Sequence, residues 1–193
     1  MSTMTPEQRV SAVFKLLEAG SKKVIDGKQT QLDHTLKVAQ LAKNSGADEE
    51  TILAALLLNI SNFTTPEQQS DSLITGRSYD LLEVGGALEY DLSMDSGDLY
   101  LPQMGVSKKT RELVESQVSA KRYLGAIDPS FGDNGYVTLP LPLFSLPERQ
   151  AFEKDPLFNQ KVQLAKWDVA AKTTDIKPAA LNTYREMFIR NMM

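Results

Sequence analysis

The amino-acid sequence predicts an all-α protein that folds as one domain. Helix-capping signals recur along the chain, beginning with Thr5-Pro6-Glu7-Gln8, where a proline at the first helical position follows a threonine cap. Apolar residues after these caps recur at helical spacing. One stretch, residues 131–144, is rich in glycine and proline and suits a loop better than a central strand. We therefore expect strands to have little place, and the 193 residues suffice for one compact core.

The first part of the chain predicts three helices. The first follows Thr5 and ends near Gly20, and the second follows Thr30 and stops at Gly46. The third begins at Asp48 and is apolar on nearly every side. Because a helix of that kind is buried, we expect it to be the central element of the fold.

The rest of the chain also predicts helices. They cover about residues 79–89, residues 107–124 up to Asp128-Pro129, a short helix that opens at Ser145, residues 156–172, and a last helix that starts at Pro178. The glycine- and proline-rich stretch between them is interpreted as a long, partly apolar loop that could serve as a lid. We treat residues 1–193 as a single domain.

Composition excludes several classes of function. The chain has one histidine, His34, and no cysteine, which removes most ligands for transition metals and most strong nucleophiles. A formal net charge of -4 gives no general attraction to nucleic acid or to anionic lipid. The N-terminus lacks a signal-peptide pattern and no apolar run approaches a membrane span of about 20 residues. We expect a cytoplasmic protein whose partner is a small molecule.

Four polar side chains are predicted to point toward apolar neighbours. His34 lies on the apolar face of the second helix, and Gln117 and Lys121 lie one turn apart on the apolar face of the helix after Ser107. Asp168 shares its face with Leu164, Trp167 and Ala171. Because such groups are costly to bury without partners, a polar pocket between these helices would satisfy them.

Structural interpretations of the same residues remain open. A single histidine on an apolar face is more often a hydrogen-bonded core residue than a functional one. Asp168 could pair with Lys172 at i,i+4 on a solvated face, and Lys121 could extend its ammonium group outward from a buried stem. Trp167 fits the core better than it fits a stacking platform.

Several collinear segments resemble a known family. They are Thr30-Gln31-Leu32-Asp33-His34-Thr35-Leu36, Ala54-Ala55-Leu56-Leu57, Ser119-Ala120-Lys121-Arg122-Tyr123-Leu124 with Asp128-Pro129, Ala151-Phe152-Glu153, and Lys166-Trp167-Asp168-Val169-Ala170-Ala171-Lys172. This pattern, over roughly residues 10–172, is similar to the HD-domain superfamily. More narrowly it resembles the HD-domain mixed-valent di-iron oxygenases that cleave organophosphonates and are related in fold to the inositol oxygenases. The resemblance implies an HD-domain helical bundle.

The resemblance also implies that most metal ligands have been replaced. His34 matches the first ligand of the family and Asp168 matches the last. The family signature A-A-L-L-H-D-I-G-H instead reads Ala54-Ala55-Leu56-Leu57-Leu58-Asn59-Ile60-Ser61-Asn62, and the next two ligand histidines fall at Leu82 and Gln117. Val24 and Gly27 stand near the family's gating tyrosine and glutamate. We therefore expect no metal and no cofactor.

The surviving residues support two main hypotheses. In the first, the former metal cavity binds a small organic molecule and catalyses a cyclisation, isomerisation or elimination, with His34 paired with Asp168 as the general acid/base. Lys121, which contacts the anionic substrate in the relatives, would bind or polarise an oxygen. The predicted ligand-binding residues are Asn59, Asn62, Gln117, Leu58, Leu82, Tyr123 and Trp167.

The second hypothesis is a catalytically inactive pseudoenzyme that acts as a binding or regulatory module. In it, His34 and Asp168 form a structural hydrogen bond, and Leu58 and Leu82 fill the cavity. A third possibility, a residual single-metal oxygenase or hydrolase, has the fewest ligands to support it. The oligomeric state stays open.

Overall fold

In a computed structural model of the protein, the described residues are 4–22, 24–26, 28–59, 105–132, 139 and 142–192. They form eight α-helices and one two-stranded hairpin. The helices are α1 (Pro6–Ala19), α2 (Gln31–Asn44), α3 (Glu49–Leu57), α4 (Lys108–Glu115), α5 (Gln117–Ile127), α6 (Leu146–Glu153), α7 (Phe158–Ala170) and α8 (Arg185–Asn191). Short 3₁₀ helices cover Gly20–Lys22, Pro129–Phe131 and Leu181–Tyr184. The predicted all-α class is confirmed.

The predicted starts of the first three helices are confirmed. A capping box at α2 joins Thr30 and Asp33, since the Asp33 amide donates to the Thr30 hydroxyl (3.1 Å) and the Thr30 amide donates to the Asp33 carboxylate (3.2 Å). Thr5 caps α1 with a capping box of the same kind, and the Asp48 side chain caps α3 by accepting a hydrogen bond from the amide of Thr51. Gly46 has a φ of 74°, the left-handed conformation that suits glycine after a helix.

Strand β1 (Val24–Asp26) pairs antiparallel with β2 (Gln29–Thr30), and among the described residues these short strands agree with the expectation that strands have little place. The two strands are too short for an alternating apolar pattern to show in the sequence. The hairpin ends at Thr30, the residue that caps α2. It therefore sets where α2 begins.

The helix predicted from Ser107 to Leu124 is in fact two helices, α4 and α5, which meet at Ser116. The Ser116 hydroxyl donates to the Leu113 carbonyl at 2.8 Å, and the Gln117 side chain donates to the same carbonyl at 3.3 Å. Side-chain donors of this kind compete with the helical backbone bond, and that competition explains the break. The predicted end at Asp128 is confirmed.

The last helix begins at Arg185 and not at Pro178. The amide of Ala179 donates to the side-chain oxygen of Gln40 on α2 at 3.0 Å, and Ala180 is extended. This long-range contact holds the backbone out of a helical conformation, so only a 3₁₀ turn and α8 follow. Helix α7 is also shorter at both ends than predicted.

Helix α3 lies at the centre of the main core, as predicted. Its residues 52–57 are all at most 4% exposed. It packs against α2, α4, α7 and α8. A second, smaller core lies between α5 and α7, where Tyr123 and Leu124 pack with Ala165 and with phenylalanines from α6, from α7 and from the adjoining loops. None of the helices in the described parts of the chain is long and apolar enough to span a membrane.

The second half of the glycine- and proline-rich stretch contacts α5 through two leucines. Leu139 and Leu143 pack against Gly125 so closely that a Cβ atom there would meet their side chains at 2.9 and 2.8 Å. A glycine at this position therefore allows the loop to approach the helix. Residues 133–138, 140 and 141 of the predicted lid lie outside the described residues, as does the predicted helix over residues 79–89.

Candidate functional site

The carboxylate of Asp168 is the centre of a buried polar cluster. Its Oδ1 accepts a hydrogen bond from His34 Nε2 at 2.8 Å and a second from Asn59 Nδ2 at 3.2 Å. Its Oδ2 lies 2.9 Å from Lys121 Nζ. We call these four residues the Asp168 cluster. All four were predicted to lie at the site, and the structure brings them together from four separate segments.

Each member of the Asp168 cluster is held by the local structure that carries it. His34 lies in the first turn of α2, directly after the capping box at Thr30. Asn59 follows the C-terminal end of α3, and Lys121 lies one turn into α5. Asp168 lies near the end of α7, whose inner face is buried at Leu164, Ala165 and Trp167. Because these helices also form the two cores, packing fixes the cluster's geometry.

Burial and charge together determine the state of Asp168. Its side chain is 6% exposed. Burial is the largest influence and by itself raises the pKa of this carboxyl. The positive charge of Lys121 and the hydrogen bond from His34 nevertheless outweigh it and hold the pKa well below its usual range. Asp168 is therefore an ionised carboxylate, and the alternative of a solvated pair with Lys172 does not describe it.

Lys121 forms the solvent-facing side of the Asp168 cluster. Its side chain is 24% exposed, whereas that of His34 is 3% exposed. The pairing of Lys121 with Asp168 was not predicted. The sequence feature that could have predicted this pair is the presence of two oppositely charged side chains on apolar helix faces, since buried charges are normally paired.

Two buried side-chain atoms, one in the Asp168 cluster and one on the helix that carries Lys121, have no partner among the described residues. They are the second ring nitrogen of His34, Nδ1, and the side-chain oxygen of Gln117, Oε1. Gln117 lies one turn before Lys121 on the same helix. The Thr35 hydroxyl, next to His34 and 1% exposed, is also unpartnered within this described set, and it was not among the predicted site residues.

The other predicted site residues have different surroundings. The Tyr123 hydroxyl donates to Glu153 at 2.8 Å, and its ring packs against Phe152 and Phe158 in the smaller core. Burial and the neighbouring Glu153 carboxylate raise the pKa of Tyr123. Leu58 is half-buried against the main core. Asn62 and Leu82 lie outside the described residues.

Trp167 belongs to the main core and also lines a surface cleft of about 370 Å³. The cleft lies between the turn that joins α2 to α3 and helix α7, and no member of the Asp168 cluster lines it. The prediction that Trp167 fits the core is therefore confirmed. Its predicted role in ligand binding stays a prediction.

The Asp168 cluster offers a poor donor set for a pair of iron ions. It contains one imidazole, one carboxylate, one amide and one ammonium group, and the last is a cation that cannot act as a ligand. Within the described ranges, no group of three or more histidine, cysteine, aspartate or glutamate residues is placed to hold a metal ion. These residues therefore do not fit a di-iron centre.

Sequence comparison finds two relatives that align with nearly the whole chain. No protein-family model matches it. Hydroxymethylphosphonate dioxygenase of Gimesia maris is 29% identical over 186 residues, which cover 93% of this chain and 86% of that protein, and this suggests a relationship to the HD-domain oxygenases. The uncharacterized protein L432 of Acanthamoeba polyphaga mimivirus is 30% identical over 191 residues, which cover 94% and 81% of the two chains. An identity of this size across most of both sequences shows that this chain belongs to the same protein family as L432.

Proposed function

We propose that this chain binds a small organic molecule beside the Asp168 cluster and, without a metal, catalyses a non-oxidative step such as a cyclisation, isomerisation or elimination. One observation carries this proposal. A single buried carboxylate, Asp168, holds an imidazole and an ammonium group from two other helices at 2.8 and 2.9 Å. An imidazole held in this way can transfer a proton, and an ammonium group can stabilise developing negative charge on an oxygen.

The proposed role of each residue follows from its position in the site. His34 acts as the acid or base, and Asp168 orients its ring. Lys121, on the more exposed side, binds an oxygen of the substrate, while Asn59 and Gln117 orient the molecule by hydrogen bonds. The similarity to hydroxymethylphosphonate dioxygenase supports a scaffold that accommodates small organic molecules. It does not extend the oxygenase reaction to this chain, because the described residues do not fit two irons.

A second candidate function is a non-catalytic binding or regulatory module. The observation in its favour is that three donors already satisfy the Asp168 carboxylate, so the Asp168 cluster is also complete as a structural feature. In this case His34 and Asp168 link α2 to α7, and the family scaffold serves only to bind.

Turnover of metabolites separates these two functions. Purified protein is incubated with a small-molecule extract of cells, and mass spectrometry measures which compounds disappear and which appear. The variants are His34→Gln, which can still donate to Asp168, and Lys121→Arg, which keeps the charge next to that carboxylate. The matched control is Lys109→Arg, since Lys109 is also partly buried but pairs with Asp48, away from the Asp168 cluster.

The first function predicts one conversion that wild type and Lys109→Arg perform and that both site variants lose. Equal conversion by all four proteins would contradict it. Retention of a compound without conversion would instead support the binding module. Elemental analysis of the same wild-type sample is expected to show no stoichiometric metal, and one equivalent of iron or manganese would contradict the metal-free mechanism.

A further inference from the structure

The surface cleft beside Trp167 is a concave polar surface whose charge is balanced. Among the described residues that line it, only Asp48 is charged. The Asp48 carboxylate accepts hydrogen bonds from the amide and the hydroxyl of Thr51, and it forms an ion pair with Lys109 at 3.0 Å. The described lining of the cleft therefore offers a ligand no unpaired charge.

Three side-chain amides of α7 line the same cleft. They belong to Asn159, Gln160 and Gln163, which lie in the first two turns of the helix. None of these three side chains has a hydrogen-bond partner among the described residues. An amide side chain carries two N–H donors and an acceptor oxygen, and residues three or four positions apart are neighbours on a helix surface. The amides thus present free donors and acceptors close to one another.

Trp167 limits the way in which a ligand can be held. It lines the cleft, but only 8% of the residue is exposed. A planar ligand that depends on stacking, such as a nucleobase, finds little aromatic surface there. Hydrogen bonds to the three amides must therefore supply most of the specificity, and the exposed part of the indole adds a small apolar contact.

The cleft also lacks the features that bind peptides. It lies between two helices and a turn, so its described walls provide no sheet edge to which an extended peptide could add. A helical peptide needs an apolar groove, whereas Ala47 and Trp167 are the only apolar residues among those described in the lining.

An uncharged sugar has the chemistry that this cleft requires. Each hydroxyl both donates and accepts, so two adjacent hydroxyls match the N–H and the oxygen of one side-chain amide. The C–H groups of a sugar ring suit a small apolar contact. The volume of about 370 Å³ lies at the lower end of the range of about 300–1,000 Å³ that is usual for small-molecule sites.

We propose that the cleft lined by Asn159, Gln160, Gln163 and Trp167 is a second binding site and that it takes an uncharged mono- or disaccharide. The site is separate from the Asp168 cluster, since no member of that cluster lines it. It goes beyond the proposed function and does not depend on it.

The single tryptophan and the single histidine allow the two sites to be observed separately. Protein labelled with ¹⁵N-tryptophan and ¹⁵N-histidine gives one indole signal, from Trp167, and one imidazole spectrum, from His34. The neutral probes are glucose, galactose, N-acetylglucosamine and maltose. Glucuronate is the anionic probe, and adenosine is the planar one.

At least one neutral sugar is expected to shift the indole signal in a saturable way, while the imidazole spectrum stays in place. Glucuronate should bind more weakly than that sugar, because no unpaired cation lies in the described lining of the cleft. Adenosine should leave the indole signal unchanged, because so little of the ring is open to stacking.

Two variants test the amides directly. Gln163→Ala and Gln160→Ala each remove one amide from a helix in which alanine is well tolerated, and each should weaken binding of the sugar roughly fivefold, as expected for one hydrogen bond. The matched control is Gln150→Ala, which removes an exposed glutamine from α6, outside the described lining of the cleft. It should bind the sugar as the wild type does.

Four results would overturn the proposal. They are an indole signal that none of the neutral sugars moves, a sugar that shifts the imidazole of His34 instead, tighter binding of glucuronate or adenosine than of every neutral sugar, and unchanged affinity in both amide variants. None of these results depends on the turnover of metabolites. The catalytic proposal for the Asp168 cluster can therefore stand or fail independently of this one.

Discussion

The imidazole of His34 and the carboxylate of Asp168 lie 134 positions apart in the sequence and meet at 2.8 Å, Nε2 to Oδ1. Both residues are at most 4% exposed. The contact joins the first turn of α2 to the last part of α7. Lys121 and Asn59, which come from two further segments, also donate hydrogen bonds to the Asp168 carboxylate. The same contacts therefore hold helices of the bundle together and position the side chains of the Asp168 cluster.

The pair of Asp168 and Lys121 should respond asymmetrically to substitution. Lys121→Met leaves a buried carboxylate without its counter-charge, and we expect it to lower the free energy of unfolding by about 3 kcal/mol. Asp168→Asn removes the charge that is hard to bury, and the quarter-exposed Lys121 can turn toward solvent, so a loss of about 1 kcal/mol is expected. Urea unfolding of both variants measures the difference.

The double variant Asp168→Asn with Lys121→Met serves as the control for that pair. It should be more stable than Lys121→Met alone, because no unpaired charge remains. The two single variants could instead lose equal amounts of unfolding free energy, and the loss in the double variant could equal their sum. That result would show that the ion pair does not determine the stability of this site.

The donor atom of His34 can be tested with two amide side chains of different length. Glutamine at position 34 reaches about as far as Nε2 and can still donate to Asp168, whereas asparagine reaches only about as far as Nδ1. We expect His34→Asn to be less stable than His34→Gln by about 1–3 kcal/mol, the cost of an unpaired buried group. Thermal and urea unfolding provide the comparison, and equal stabilities would mean that the bond to Asp168 does not support the fold.

The cap of α3 predicts that the stability of the protein depends on pH in the acidic range. Burial raises the pKa of Asp48, but the amide of Thr51 and the ammonium group of Lys109 outweigh it, so the folded pKa lies below the ordinary value of 3.8. Because the pKa of Asp48 is lower in the folded protein, its ionised carboxylate stabilises the protein at pH values above that ordinary pKa. The contribution is lost as the pH falls below about 4 toward the folded pKa.

Asp48→Asn is the matched variant, since asparagine caps a helix about as well but does not titrate. The stability difference between wild type and this variant should be largest near neutral pH and shrink in acid. It is measured by urea unfolding at a series of pH values. A difference that stays constant down to pH 3 would contradict an ionic contribution from Asp48.

Tyr123→Phe should affect the smaller core and not the Asp168 cluster. It removes the 2.8 Å hydrogen bond to Glu153 and keeps the ring between Phe152 and Phe158. We expect a loss of about 1 kcal/mol in unfolding free energy, typical of one hydrogen bond. The ¹⁵N-histidine spectrum of His34 should be unchanged, and a clear shift in it would place Tyr123 in contact with the site.

Local signals in the sequence predicted much of the fold. The capping residues Thr5, Thr30 and Asp48 were predicted correctly because a cap depends on side chains within three positions of the helix start. The central role of α3 was predicted because burial on every side leaves an apolar pattern on every side. The break at Ser116 was missed, since its hydroxyl satisfies a carbonyl that the pattern alone assigns to a continuous helix.

By itself, the sequence determined an all-α class, the helix starts and the few polar residues that turn toward the core, because these depend on residue type and on spacing within one helix. Only the tertiary structure decided that Lys121 and Asn59 meet Asp168, that Tyr123 lies with Glu153, and that residue 179 is tied to α2. Those contacts join segments far apart in the chain. Helical periodicity predicts which way a side chain points. Only the packing of helices against one another determines which residues that side chain contacts.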